Sequence, residues 1–359
     1  MAKALNSAIG IDLGQYNLKG VLLQRKGGNR VHIAGYAIRQ TGPGAVPADK
    51  LAHHLKLLLQ EVGGSAKGYA AAASSPQALV RIIDQPPTPP VLLRDALKFN
   101  DMALLNQDCK EYVLDCDLLT QPSKSMAEAD DAPAAATPAA GAPAKTLRYV
   151  VGGLPRSDVS DIYDAFEKNR TVISRLQLAP LATFNAFEFA KRDIFTNEAF
   201  MLVDIGHDVT VVMLGCKREL VLVRNIDYGG RHFIEAISGD GAIDLAAAIT
   251  LVEKGDPGLN EVGRASLMSL AVQLRNSIGF FEGQREENIS RVHFSGALVR
   301  ADLPLQILSD ELEIPCELWD PFEKCEISLP RNKRTSFLVD QHQLNVACGA
   351  AIELLSGGG

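Results

Sequence analysis

Two short segments of the 359-residue chain carry residue types suited to holding a phosphate chain and a divalent cation. Ile9-Gly10-Ile11-Asp12-Leu13-Gly14 and, much later, Val203-Asp204-Ile205-Gly206 are apolar runs that each end in Asp-x-Gly. The glycine accepts positive φ and lets a phosphate oxygen approach the backbone, whose successive N–H groups form an anion-binding nest. The aspartate at the strand end can hold Mg²⁺ through water. One such turn is also what an ordinary tight hairpin uses. Two, at matched positions in two halves of a chain, can grip a nucleotide phosphate tail from both sides of a cleft.

The surroundings of the two turns repeat as well. Leu18-Lys19-Gly20-Val21-Leu22-Leu23 follows the first and Val209-Thr210-Val211-Val212-Met213-Leu214 follows the second. A third strand-like run comes next in each case, over 30–38 and 219–226. Each half thus opens with a three-strand meander, which predicts a duplicated α/β protein with a cleft between lobes. Apolar spacing predicts helices over 47–63, 230–237, 244–252, 303–312 and 343–355, with a long amphipathic helix over 261–281. Its expected core stripe is Val262, Ala265, Leu267, Leu270, Leu274 and Ile278. Strands are expected over 290–295 and 316–318. A βαββα-like stretch with helices near 92–105 and 158–169 reads as a small subdomain inserted into the first half.

Composition narrows the function classes. Apolar residues at 47% and charged residues at 22% describe an ordinary globular chain with a sizeable core. At roughly 150 residues per domain the length predicts two or three domains. Against 36 Lys and Arg stand 43 Asp and Glu, a net charge of −7, so a nucleic-acid binder with a dedicated basic face is not expected. The opening residues lack a secretory signal, and no window of about 20 apolar residues exists to span a bilayer. These features and six cysteines without a C-x-x-C pair predict reduced thiols in a cytoplasmic protein. Residues 121–145, rich in Ala, Pro and Ser, read as a disordered surface loop. His53-His54 reads as part of a solvated helix face and Arg331-Asn332-Lys333-Arg334 as a solvated loop.

The order of these motifs resembles the actin-like ATPase superfamily, and within it the PilM family of type IV pilus assembly. Asp12-Leu13-Gly14-Gln15-Tyr16-Asn17-Leu18-Lys19 looks like the family's first phosphate loop, and Asp204-Ile205-Gly206 with Thr210 like the second. Ile226-Asp227-Tyr228-Gly229-Gly230, Ser295-Gly296, Glu317-Leu318-Trp319-Asp320-Pro321-Phe322 and Val113-Leu114-Asp115-Cys116-Asp117 resemble further landmarks, so the resemblance runs over nearly the whole chain. It implies two actin-like (ribonuclease H-like) lobes around a cleft. The first is 1–78, completed by 170–198 and 340–359. The second is 199–339, with a helical part at 244–289. The inserted α+β subdomain is 79–169.

The resemblance also implies ATP and Mg²⁺ as ligands. Asp12 and Asp204 would orient the metal. Gly14, Gln15 and Asn17 would offer N–H groups to phosphate, with Lys19 as a neutralising charge. Gly206, His207 and Thr210 would serve the opposite loop, and Gly296 and Ala297 would lie near the adenine. The implied partners are the cytoplasmic tail of a bitopic inner-membrane pilus protein, docked between the first lobe and the inserted subdomain, and the pilus motor complex. Several residues depart from the family pattern: Gln15-Tyr16 in the first loop, His207-Asp208-Val209 in the second, Ala297-Leu298-Val299 after Gly296, and Ala246-Ala247-Ala248 in the lobe-two helix. The connecting segment Leu176-Gln177-Leu178-Ala179-Pro180 has no carboxylate, and Gln177 is its one polar candidate to position water. Weak or absent hydrolysis is therefore expected, and retention of nucleotide is left open. The alternative reading is a small-molecule kinase of the same superfamily, with Asp208 as the available base. A filament-former ranks third.

Overall fold

The computed structural model describes residues 5–27, 30–42, 46–119, 146–239 and 241–357. It divides into two units: Met1–Pro76 with Ser160–Gly359, and Gln77–Val159. The first unit opens with the expected meander, β1 (Ser7–Leu13), β2 (Asn17–Lys26) and β3 (Arg30–Gln40). In α1 (Ala48–Val62), Leu51, Leu55, Leu58 and Val62 are buried at three- and four-residue spacing, and the helix stops at Gly63 with φ 73°. β4 (Gly68–Ala73) follows.

The second unit comprises β5 (Leu79–Gln85), α2 (Pro90–Phe99), α3 (Asp101–Leu105), β6 (Tyr112–Leu118) and β7 (Leu147–Pro155). Its antiparallel sheet has the order β5-β7-β6. Leu79, Leu93, Leu97, Leu105, Tyr149 and Val151 form its core. The single helix expected near 92–105 is two. The chain breaks at Asn100 (φ −128°), and the Asp101 carboxylate accepts from the N–H groups of Met102 at 2.8 Å and Cys109 at 2.6 Å. Expected loop 121–145 lies outside the described residues.

α4 (Arg156–Lys168) returns the chain to the first unit. There follow β8 (Ile173–Leu178), α5 (Ala179–Ala190) and α6 (Arg192–Asn197). The second meander is β9 (Ala199–Ile205), β10 (Thr210–Cys216) and β11 (Glu219–Ile226). After α7 (Gly230–Ser238), the Asp244 carboxylate caps α8 (Leu245–Glu253) by accepting from Ala247 N–H at 2.9 Å. The long helix α9 spans Asn260–Arg285. Val262 and Ala265 are exposed, contrary to expectation, because the helix turns Gly263 inward against Phe233 and Ile307. The chain ends with β12 (Val292–Gly296), α10 (Asp302–Leu312), β13 (Cys316–Leu318), β14 (Cys325–Ile327), α11 (Arg331–Asp340) and α12 (Asn345–Ser356).

The two large sheets show the duplication directly. Their orders are β14-β3-β2-β1-β4-β8 and β11-β10-β9-β12-β13. In each, the first meander strand pairs antiparallel with the second and parallel with a later strand, which pairs parallel with one more. β1 and β9 are central and buried on both faces, so they read as unbroken apolar runs rather than alternating ones. α12 lies so close over β1 that a Cβ on Gly10 would meet Ala347 O at 2.0 Å. α12 also crosses α5 closely, where a Cβ on Gly349 would stand 1.7 Å from Ala182 O. Ala70, Ala72, Ala179, Ala182 and Ala350 fill the remaining space.

Expected loop 331–334 is instead the start of α11, held by its own basic side chains. Lys333 Nζ donates to Tyr36 O at 3.2 Å and Glu61 O at 2.6 Å, closing the last turn of α1. Arg334 Nε donates to Leu329 O at 3.0 Å.

Candidate functional site

The duplication places the two Asp-x-Gly turns at equivalent ends of β1 and β9. Asp12 is 2% exposed. Its direct neighbour across the β1–β2 ladder is Lys19, whose Nζ lies 3.0 Å from Asp12 Oδ2. Ser74 Oγ donates to Asp12 Oδ1 at 3.3 Å. Asp204 sits beside Ser295 in the β9–β12 ladder and accepts from Ser295 Oγ at 2.8 Å. Asn345, at the start of α12, also hydrogen-bonds Asp204 and donates to Thr183 Oγ1 at 3.0 Å. The position equivalent to Lys19 is Val211, directly opposite Asp204. One lysine therefore serves both carboxylates.

The charges bear this out. Burial alone would lower the Lys19 ammonium, but Asp12 and then Asp204 outweigh it and hold it above its usual value. Burial raises the Asp204 carboxyl, and the Asp12 charge adds to that, while Lys19, Ser295 and Asn345 oppose it. The pair is thus an acidic focus that a cation stabilises. Among the described residues no cluster of three or more His, Cys, Asp or Glu exists to cage a metal. Two carboxylates leaving coordination sites to water and phosphate oxygens match the way Mg²⁺ is held beside a nucleotide, so the residues present fit that group.

The loops repeat the same backbone turn. A Cβ on Gly14 would stand 2.6 Å from Asn17 O, and one on Gly206 2.7 Å from Val209 O, so both turns close on a residue without a side chain. The second loop lies along the start of α7: Gly230 N donates to Gly206 O and Arg231 N to His207 O, each at 2.9 Å. Gly229 permits this, since a Cβ there would meet His207 O at 2.3 Å. The first two helical N–H groups of α7 are thereby spent on the loop.

Side chains also meet across the loops. The Tyr16 and His207 rings stack with centroids 3.8 Å apart and planes 14° from parallel. The Gln40 side-chain amide donates to Tyr16 OH, and Thr41 N donates to Tyr16 O at 2.9 Å. Asp208 is tied to Arg231, Nε to Oδ1 at 2.6 Å, and Arg231 reaches on to Glu235 at 2.9 Å. Burial lowers the His207 imidazole, with Arg231 and His232 acting the same way against Asp208 and Glu235.

The remaining expected residues divide. Gly296 pairs with Ile205 in the β9–β12 ladder, holds φ 111°, and would clash with Ile205 O at 2.2 Å if it bore a Cβ. Ala297 is exposed beside it. Thr210 is fully buried and its hydroxyl donates to Tyr228 O at 2.7 Å, which fixes the start of β10. Gln177 lies inside β8, paired with Ala72. Ser74, Asn345, Thr183, Gln40 and Arg231 were not singled out from sequence. Ser295 carried a signal there only through its neighbour Gly296.

The sequence model of the family described as type IV pilus assembly protein PilM matches residues 158–355, more than half of the chain. Among curated proteins none matches. Among solved structures, a PilM-PilN type IV pilus biogenesis complex superposes with TM-score 0.79 and 23% identity, over 97% of this chain and 98% of that one. The ethanolamine utilization protein EutJ from Carboxydothermus hydrogenoformans superposes with TM-score 0.54 and 12% identity, over 99% and 92%. These likenesses, the two matched sheets and the two matched Asp-x-Gly turns describe an actin-like ATPase fold. The chain belongs to the PilM family of type IV pilus assembly proteins.

Proposed function

We propose that this protein is a scaffold of type IV pilus assembly that binds the cytoplasmic tail of a bitopic inner-membrane pilus protein and joins it to the motor complex. The family match carries this reading. A PilN partner in the similar complex supports it. No helix of the described residues is long and apolar enough to cross a membrane, so attachment at the inner face of the inner membrane would run through partners. The second unit offers a surface of suitable chemistry: Leu92 and Phe99 lie seven residues apart on one face of α2 and are 60% and 84% exposed. Met102 on α3 is 57% exposed. Exposed apolar side chains of this size suit an amphipathic tail.

ATP is the proposed ligand of the cleft, with Asp12 and Asp204 holding Mg²⁺, which would neutralise the phosphates when bound. Asp12 and Asp204 would hold the cation, the Gly14 and Gly206 turns would let phosphate approach the backbone, and Lys19, now paired with Asp12, would supply positive charge beside it. Efficient hydrolysis is not part of this proposal. Asp208, the carboxylate that a kinase reading would use as base, is ion-paired with Arg231, an arrangement suited to fixing the loop. The deciding experiment is calorimetry with a synthetic peptide of the partner's tail, with and without Mg·ATP. Micromolar binding of the peptide supports the scaffold, and its absence in both conditions refutes it. An Asp12→Ala variant that loses ATP heat but keeps peptide binding would separate the two ligands.

A further inference from the structure

Tyr16 and His207 stand in the two loops that the duplication makes equivalent, and their side chains contribute nothing to a phosphate nest built from backbone N–H groups. Each loop is anchored from behind. Gln40 and Thr41 hold Tyr16, while the start of α7 holds the His207 carbonyl. The two anchored loops touch through one face-to-face ring pair at 3.8 Å. The same loops carry Gly14 and Gly206, and their flanking strands carry Asp12, Lys19 and Asp204.

We propose that the Tyr16–His207 stack is a gate on the phosphate site. With the rings together the two phosphate loops are clasped, and a phosphate tail reaches Asp12 and Asp204 only after the rings part. This rests on the reading of the cleft as a nucleotide site. An aromatic pair of this kind shifts an open–closed balance by roughly three- to tenfold. Affinity for nucleotide falls by the fraction of molecules that are closed. By linkage, a nucleotide that binds only the open form must also part the rings. The gate therefore reports cleft occupancy as a change in how the two halves of the first unit are tied together.

The test uses the full chain labelled with ¹³C at histidine Cε1. The His207 resonance, assigned by its loss in His207→Ser, is displaced upfield by the Tyr16 ring and moves downfield in Tyr16→Ser. Mg·ATP is then titrated into wild type, Tyr16→Phe, Tyr16→Ser and His207→Ser. Supporting results are a downfield shift of His207 on ATP binding to wild type, and three- to tenfold tighter binding to both serine variants, with Tyr16→Phe, which keeps the ring and loses only the Gln40 bond, shifted less than either. His207→Ser opens the gate from the other side if Tyr16→Ser folds poorly. ATP binding that leaves His207 unmoved, or serine variants that bind no tighter than wild type, overturns the gate alone. No Mg·ATP binding by any of the four proteins overturns the gate and the nucleotide-site reading together.

Discussion

Among the described residues Lys19 is the cation shared by Asp12 and Asp204, so Lys19→Met isolates its electrostatic role at nearly constant volume. The Nζ–Oδ2 separation is 3.0 Å. At an effective dielectric of about 20, that contact is worth roughly 5 kcal/mol of Coulomb energy. Removing one partner of a buried pair costs about 3–5 kcal/mol, because the other charge stays buried. The Lys19 side chain is 18% exposed, which places the expected loss at the lower end, about 3 kcal/mol. At about 2.1 cal/mol/K per residue and about 280 residues in the first unit, that is a fall in Tm of about 5 °C at pH 8. The pH dependence follows from the sign of the shift. Without Lys19 the folded-state Asp204 carboxyl rises further above its unfolded value, so the folded variant binds more protons and gains relative stability as pH falls. The deficit should therefore shrink between pH 8 and pH 5. Calorimetric or circular-dichroism melts across that range measure it. A variant as stable as wild type at pH 8, or a deficit that grows on acidification, would refute the idea that one lysine neutralises two aspartates.

Three further outcomes are expected. His293 is 1% exposed, and burial pulls its imidazole down to about 4 against the opposing Glu317 charge. The folded state then keeps it neutral while the unfolded chain protonates it, so stability should drop by about 3 kcal/mol between pH 6.5 and 4, a slope that His293→Gln flattens in urea titrations. Gly349→Ala puts a methyl group against the Ala182 backbone and should cost about 3 kcal/mol or prevent folding, checked by denaturant unfolding. Phe99→Asp, at a position 84% exposed, should leave Tm within about 3 °C yet weaken tail-peptide binding on the order of tenfold. Unchanged peptide affinity would remove α2 from the docking surface.

The meanders were legible because β1, β2, β9 and β10 are continuous apolar runs joined by turns with a chemical signature. β4 was not. Its Ala70-Ala71-Ala72-Ala73 run has helical propensity, and it is a strand because only small residues let α12 and α5 pack so closely above the sheet. α11 was hidden for a similar reason: the spacing of Lys333 and Arg334 shows charge, whereas the carbonyls that Lys333 caps belong to residues far away in sequence. At the site, Asp12, Asp204 and the paired glycines followed from local spacing. The sharing of Lys19 did not, since it depends on Val211 standing at the equivalent register position. Tyr16 and His207 stood out as departures from a pattern, and only the folded chain brings them into contact.

The closeness of α12 to β1 also sets a timetable for synthesis. The sheet that begins with β1 leaves Gly10, Ala70 and Ala72 bare until α12 covers them, and α12 begins at Asn345. At 5–20 residues per second, the roughly 270 residues between β4 and α12 take about 15–50 s to emerge from a ribosome. For that interval the first half has α1 on one face of its sheet, the α12 face bare, and an edge position beside β3 that also awaits β14. Folding is therefore completed after synthesis rather than half by half. A chain truncated before Asn345 should fail first at its amino-terminal sheet, far in sequence from the cut.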